Sequence, residues 1–146
     1  MTSLFEAVPY LAAYRPSFAI LALLVIVTIV QAILCVPLAF LKKEQTPGLP
    51  LKLDHSSLSF RVMRTYSNTV ETLPIFGFAL LAASAAGTSP ALVNWLAGIY
   101  LAFRLLYWAV YYSGIGRASG GPRSMCFIGA MTANAVLAVA ALITLF

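Results

Sequence analysis

The sequence predicts an all-α membrane protein, a bundle of four transmembrane helices. Three observations predict it. Of 146 residues, 62% are hydrophobic and only 9% are charged, with a mean hydropathy of +0.94. Long apolar runs recur four times between short breakers, and the cations collect in two of the three connections. A soluble domain carries about 25% charged residues, and a chain this short cannot hide so much apolar surface inside itself. No stretch is a linker long enough to separate two domains, so residues 1–146 read as a single four-helix transmembrane domain.

Met1 to Tyr14 is a mildly apolar lead. Arg15-Pro16 opens a run reaching Leu41, interrupted only by Thr28 and Gln31. It is too long for a secretory h-region and ends on lysines, so residues 16–41 read as a membrane helix and not a cleaved signal. Pro37 is expected to kink its last turns. Residues 42–56 are the most polar stretch, broken by Pro47-Gly48 and Pro50, and form a loop. Asp54, Ser56 and Ser57 are the candidate caps of the next helix. His55, the one histidine, reads as a loop or interface residue, because no partner stands near it in sequence.

The second membrane helix covers residues 57–86, with Pro74 inside it. Gly87-Thr88-Ser89-Pro90 is a turn in which Ser89 takes the N-cap and Pro90 the first helical position. The third helix covers 90–113, and a Gly-rich connection with Arg117 follows. Pro122 opens the fourth helix, 122–145, whose one strong polar group after the first turn is Asn134. Cys35 and Cys126 lie in apolar runs and read as packing residues. Their spacing suits neither a metal nor a disulfide framework, and no metal site is expected.

An even number of spans puts both termini on one side. The positive-inside rule makes the first and third connections cytoplasmic, since they hold or adjoin Lys42, Lys43, Lys52, Arg61, Arg64, Arg104, Arg117 and Arg123, while the second has no charge. Once topology has accounted for these cations, the net charge of +5 leaves no surface for nucleic acid. No repeat of the transporter kind is present.

The second helix starts with Arg61, Arg64, Asn68 and Glu71, spaced three, four and three apart and so on one helical face. Tyr100, Arg104, Tyr107 and Tyr111 share a face of the third helix, and Arg123-Ser124 begin the fourth. All three sets fall in the cytoplasmic half. Ionisable residues at such depth must face protein or water and are functional candidates by default. Guanidiniums, one carboxylate, one amide, phenols and a hydroxyl suit a small zwitterion with more than one carboxylate and an ammonium. The plainer alternative is that Glu71 pairs with Arg64 or Arg104 and merely pins the bundle. Against it stands the excess of cation, since one carboxylate cannot neutralise four arginines and uncompensated buried charge is costly.

Phe60-Arg61-Val62-Met63-Arg64, followed by Asn68, Glu71 and Pro74, resembles the signature of the MAPEG family, the membrane-associated proteins in eicosanoid and glutathione metabolism. Arg104, Tyr107 and Tyr111 resemble the family's third-helix Arg-x-x-Tyr-x-x-x-Tyr pattern, and the resemblance covers essentially the whole chain. It implies a homotrimer of four-helix subunits with glutathione bound near the cytoplasmic face between subunits. It further implies that Arg64, Asn68, Glu71, Arg104, Tyr107, Tyr111 and Ser124 hold glutathione, and that an arginine near the start of the fourth helix stabilises the thiolate. Arg123, followed by Ser124, is assigned that role, with Arg117 the runner-up.

Two departures stand out. The family's synthases carry an arginine near the cytoplasmic end of the first helix, where this chain has Pro37-Leu38-Ala39-Phe40 and then Lys42-Lys43. Thr72 stands where leukotriene C synthase has tyrosine. The expectation is a glutathione-dependent membrane enzyme, transferase or peroxidase, acting on a hydrophobic electrophile or lipid hydroperoxide. The alternative is a non-catalytic scaffold or lipid-binding protein of the same fold. A bacterial inner membrane is the expected location.

Overall fold

A computed structural model describes residues 4–42, 55–116 and 120–146. A one-turn helix α1 (Leu4–Ala7) and a 3-10 segment (Pro9–Tyr14) precede four long helices: α2 (Arg15–Lys42), α3 (Leu58–Ala86), α4 (Pro90–Ser113) and α5 (Pro122–Leu145). Each of the four long helices is long and apolar enough to cross a membrane. They are the four helices that the apolar runs predict. α3 and α4 form the central pair, each packing on the other three long helices.

Sequence chemistry sets the ends. Ser57 caps α3, its Oγ accepting from Phe60 N at 3.4 Å. At the other end Gly87 adopts φ +75°, Thr88 N donates to Ala83 O at 3.0 Å, and Gly87 N donates to Ser84 O at 3.3 Å. These paired bonds satisfy the last carbonyls of α3 and need the left-handed conformation that glycine takes without penalty. Ser89 occupies the N-cap of α4 but makes no side-chain cap bond there, and Pro90 follows at the first turn.

The core lies between α3, α4 and α5, with Leu24 of α2 joining it. Phe76 stacks on Tyr100 with ring centroids 4.1 Å apart, beside Leu80, Ala83, Val93, Ala97, Ala130 and Leu137, all essentially solvent-free. α5 comes so near α4 that a Cβ on Gly129 would lie 2.6 Å from the Phe103 ring. The outward faces are apolar, with Ile26, Ile33 and Phe40 of α2, Phe78 of α3 and Ile143 of α5 all exposed. That is the surface a bilayer covers.

α3 carries hydroxyls through this apolar setting by bonding them to its own preceding turn. Thr65 donates to Arg61 O, Thr69 to Thr65 O, Thr72 to Asn68 O and Ser84 to Leu80 O, at 2.6 to 2.9 Å. Each hydroxyl is thereby satisfied without water.

The lead, whose sequence is merely apolar, is tied down. Tyr14 is buried and its hydroxyl donates to Thr88 O, in the turn between α3 and α4. Asn94 of α4 accepts from Ser17 Oγ at 2.6 Å and donates to Ala13 O at 2.9 Å. These bonds fix the end of the bundle remote from Arg61, Arg64 and Arg123.

Candidate functional site

At the opposite end, α3, α4 and α5 leave a cavity of about 450 Å³. It lies in the size range of small-molecule sites. Its walls are His55, Phe60, Arg64 and Asn68 before and along α3, Tyr107 and Tyr111 of α4, and Arg123, Ser124, Phe127 and Ile128 of α5. Helical spacing explains the set. Phe60, Arg64 and Asn68 repeat every four residues, as do Tyr107 and Tyr111, and Ser124 and Ile128, so each helix offers one stripe.

Two guanidiniums, two phenols, an imidazole, an amide and a hydroxyl therefore converge. Among the described residues lining the cavity there is no carboxylate. Among these described residues donors predominate and formal charge is positive, a set chemically suited to an anion.

The predicted site residues divide. Arg64, Asn68, Tyr107, Tyr111, Arg123 and Ser124 line the cavity. Arg104 does not. It is only 1% exposed, and its Nη1 donates to Asn68 Oδ1 at 2.8 Å while Nη2 donates to Thr69 Oγ1 at 3.0 Å. Its guanidinium also lies 5.0 Å from the Tyr107 ring centroid and 5.8 Å from that of Trp108, within cation–π range. Arg104 thus sits behind the wall and orients it. With Asn68 Oδ1 engaged, the amide nitrogen is the end Asn68 has to donate. Trp108 Nε1 donates to the same Thr69 hydroxyl at 3.2 Å.

Glu71 also lies outside the cavity lining. It accepts from Arg64 Nη1 at 3.1 Å, and the two side chains are 57% and 40% exposed. Arg117, the second candidate for thiol activation, lies outside the described residues.

Arg123 is held on two sides. Its guanidinium stacks 4.5 Å above the Tyr111 ring, and Nη1 lies 3.3 Å from His55 Nδ1. Tyr111 Oη is 3.5 Å from that same nitrogen, and Tyr107 meets Tyr111 edge to face at 5.5 Å. His55 is a lining residue that the sequence does not single out. Its partners, Tyr111 and Arg123, lie 56 and 68 residues away, so proximity in sequence had nothing to offer. Phe127 and Ile128 are likewise lining residues that sequence reasoning misses, being indistinguishable in sequence from core. With Phe60, the first residue of the helix-two motif, they give the cavity an apolar side next to the donors.

Arg61 supports this wall from outside. Its Nη1 donates to the backbone carbonyls of His55 at 3.0 Å and Ser56 at 2.7 Å. Its guanidinium also lies against Gly114 at the C-terminus of α4, where the helix dipole favours a cation.

The sequence pattern described as the MAPEG family matches residues 17–143. No curated protein matches the chain.

Proposed function

The chain belongs to the MAPEG family, and on that basis we propose that it is a glutathione-dependent membrane enzyme, conjugating or reducing a hydrophobic electrophile or lipid hydroperoxide. The observation that carries this reading is the cavity itself, donor-rich and cationic, with no carboxylate among its described lining residues and an apolar side formed by Phe60, Phe127 and Ile128. A tripeptide with two carboxylates and a thiol fits that donor set. Arg64 and the Asn68 amide would hold carboxylates, and Tyr107, Tyr111 and Ser124 would donate to remaining oxygens. Glutathione supplies the nucleophilic or reducing thiol.

Arg123 is the residue proposed to act on sulfur. A thiol with an ordinary pKa near 8.5 is mostly protonated at neutral pH, and the thiolate is the reactive form. A guanidinium donating to sulfur stabilises the anion and lowers the thiol pKa, each unit of that lowering corresponding to about 1.4 kcal/mol. Stacking on Tyr111 and the contact with His55 keep the Arg123 side chain in place, so little rearrangement is required when charge develops.

Glu71 and Arg64 extend the proposal to assembly. An ion pair more than a third exposed on a membrane helix is expensive against lipid. A second subunit packed on that face of α3 would cover it, and Glu71 would then be available to a glutathione ammonium at the subunit boundary. We place the chain as a homotrimer, in a bacterial inner membrane, with the cavity end cytoplasmic on the positive-inside rule.

The test is glutathione binding to the detergent-solubilised protein, followed by thiolate absorbance in the ultraviolet, in wild type and Arg123→Ala. The expected result is retained binding, loss of the thiolate band, and turnover of an electrophile reduced on the order of a hundredfold. Equal loss of binding and turnover would remove Arg123 from the proposed role. One observation favours the alternative, a non-catalytic lipid-binding protein of this fold. Arg104 and Glu71 are already engaged by Asn68, Thr69 and Arg64, as a purely structural polar face would be. Binding without turnover of any electrophile or hydroperoxide would select it.

A further inference from the structure

We infer that His55 is a positioning residue for Arg123, and that its protonation switches the site off. The inference rests on the reading that Arg123 acts on a bound thiol, but its geometry is independent of that reading. A guanidinium has five N–H donors and no acceptor. Arg123 Nη1 lies 3.3 Å from His55 Nδ1, so the contact is a hydrogen bond only while Nδ1 carries a lone pair. His55 is therefore neutral when paired, with its proton on Nε2.

The surroundings make the imidazole a fixed acceptor. Phe60 of α3 meets it edge to face at 4.8 Å. Arg61 of α3 holds its backbone carbonyl at 3.0 Å. From α4, the Tyr111 hydroxyl lies 3.5 Å from Nδ1, and from α5 comes Arg123 itself. Arg64 lines the same cavity. Among the described groups of α3, α4 and α5 named here, the charged ones are guanidiniums and the other titratable one is a phenol. The loop that carries His55 is joined to α3 and α4 by Arg61, so the histidine belongs to the framework and Arg123 is the movable arm. Tyr111 supports that arm from its ring face, 4.5 Å from centroid to guanidinium carbon, and His55 offers its Nη1 an acceptor.

Protonating Nδ1 replaces an acceptor with a donor aimed at a donor and sets two cations 3.3 Å apart. The guanidinium must then turn away. The pairing is therefore present while the imidazole is neutral and is lost once it takes up a proton.

Two variants separate this role from packing. In His55→Asn the side-chain carbonyl oxygen can stand where Nδ1 stood, accepting from Arg123 without titrating. His55→Ala removes the acceptor. Two readouts are needed. The first uses the ligand-free protein. The side-chain ¹⁵N resonance of Arg123, assigned by its loss in Arg123→Lys, should shift with the imidazole titration in wild type and not in His55→Asn. The second is turnover and thiolate absorbance with glutathione. At about pH 7.5, His55→Asn should be close to wild type and His55→Ala on the order of tenfold slower, with binding much less changed. As the pH is lowered, the ratio of His55→Asn to wild-type turnover should rise, toward the roughly tenfold loss expected of His55→Ala.

An Arg123 resonance that ignores the imidazole titration, or a His55→Asn variant as defective as His55→Ala, overturns the inference. A resonance that follows the titration in a protein with no thiolate band and no turnover supports the pairing and refutes the glutathione reading instead.

Discussion

Thr69 carries more of the site than its residue type suggests. Its hydroxyl donates to Thr65 O and accepts from both Arg104 Nη2 and Trp108 Nε1, in a position 1% exposed. Thr69→Val keeps the shape and leaves two buried donors unpaired, at a cost of about 1–3 kcal/mol for each group left unsatisfied. We expect a lower thermal midpoint in detergent for Thr69→Val and a near-normal one for Thr69→Ser, and an unchanged midpoint in the valine variant would refute the junction. Neither this junction nor the place of His55 was legible in the sequence. Spacing reveals which residues share a helical face, and it put Arg64 with Asn68 and Tyr107 with Tyr111. It says nothing of which edge of that face a neighbouring helix will cover. Arg64 and Glu71 stand two turns apart, nearly in line, with Asn68 turned toward α4. α4 therefore closes over Asn68 and leaves Glu71 outside.

The helices themselves were legible because their signals are local. A membrane span needs only length and apolarity, and the ends of α3 depend on a serine hydroxyl and one glycine. Contacts between helices are not local. Gly129 looks like any glycine in an apolar run, yet it admits the Phe103 ring at a distance no Cβ tolerates. Gly129→Ala should push α5 from α4 and cost about 1–3 kcal/mol, the usual range for overpacking. Combining it with Phe103→Leu should recover some of the loss, since residues in contact are not additive. Thermal midpoints of the single and double variants check this, and additive losses would count against the close approach. Because Phe127 and Ile128 of the cavity wall precede Gly129 directly, the same variant should also weaken the proposed glutathione binding.

At the scale of the molecule, the bundle has one sealed end and one open end. Tyr14, Ser17 and Asn94 join the lead and α2 to α4 and to the α3–α4 turn, while the other end opens into the cavity lined by Arg64 and Arg123. The proposed assembly predicts a homotrimer by native mass spectrometry in mild detergent. Glu71→Ala should shift mass toward smaller species on dilution. A monomeric wild type would refute the assembly.

Arg104 has a consequence for how the chain reaches the membrane at all. It lies about 14 Å from the end of α4 at 1.5 Å per residue, near the middle of a bilayer core about 30 Å thick. Its hydrogen-bond partners, Asn68 and Thr69, belong to α3. Alone in lipid, α4 would carry a bare guanidinium at a cost of roughly 2.5–3.5 kcal/mol or more. α3 precedes it in synthesis and is joined to it by an uncharged turn of a few residues. The two helices are thus suited to leave the translocon as one hairpin, with the arginine already matched to its acceptors before either helix meets hydrocarbon.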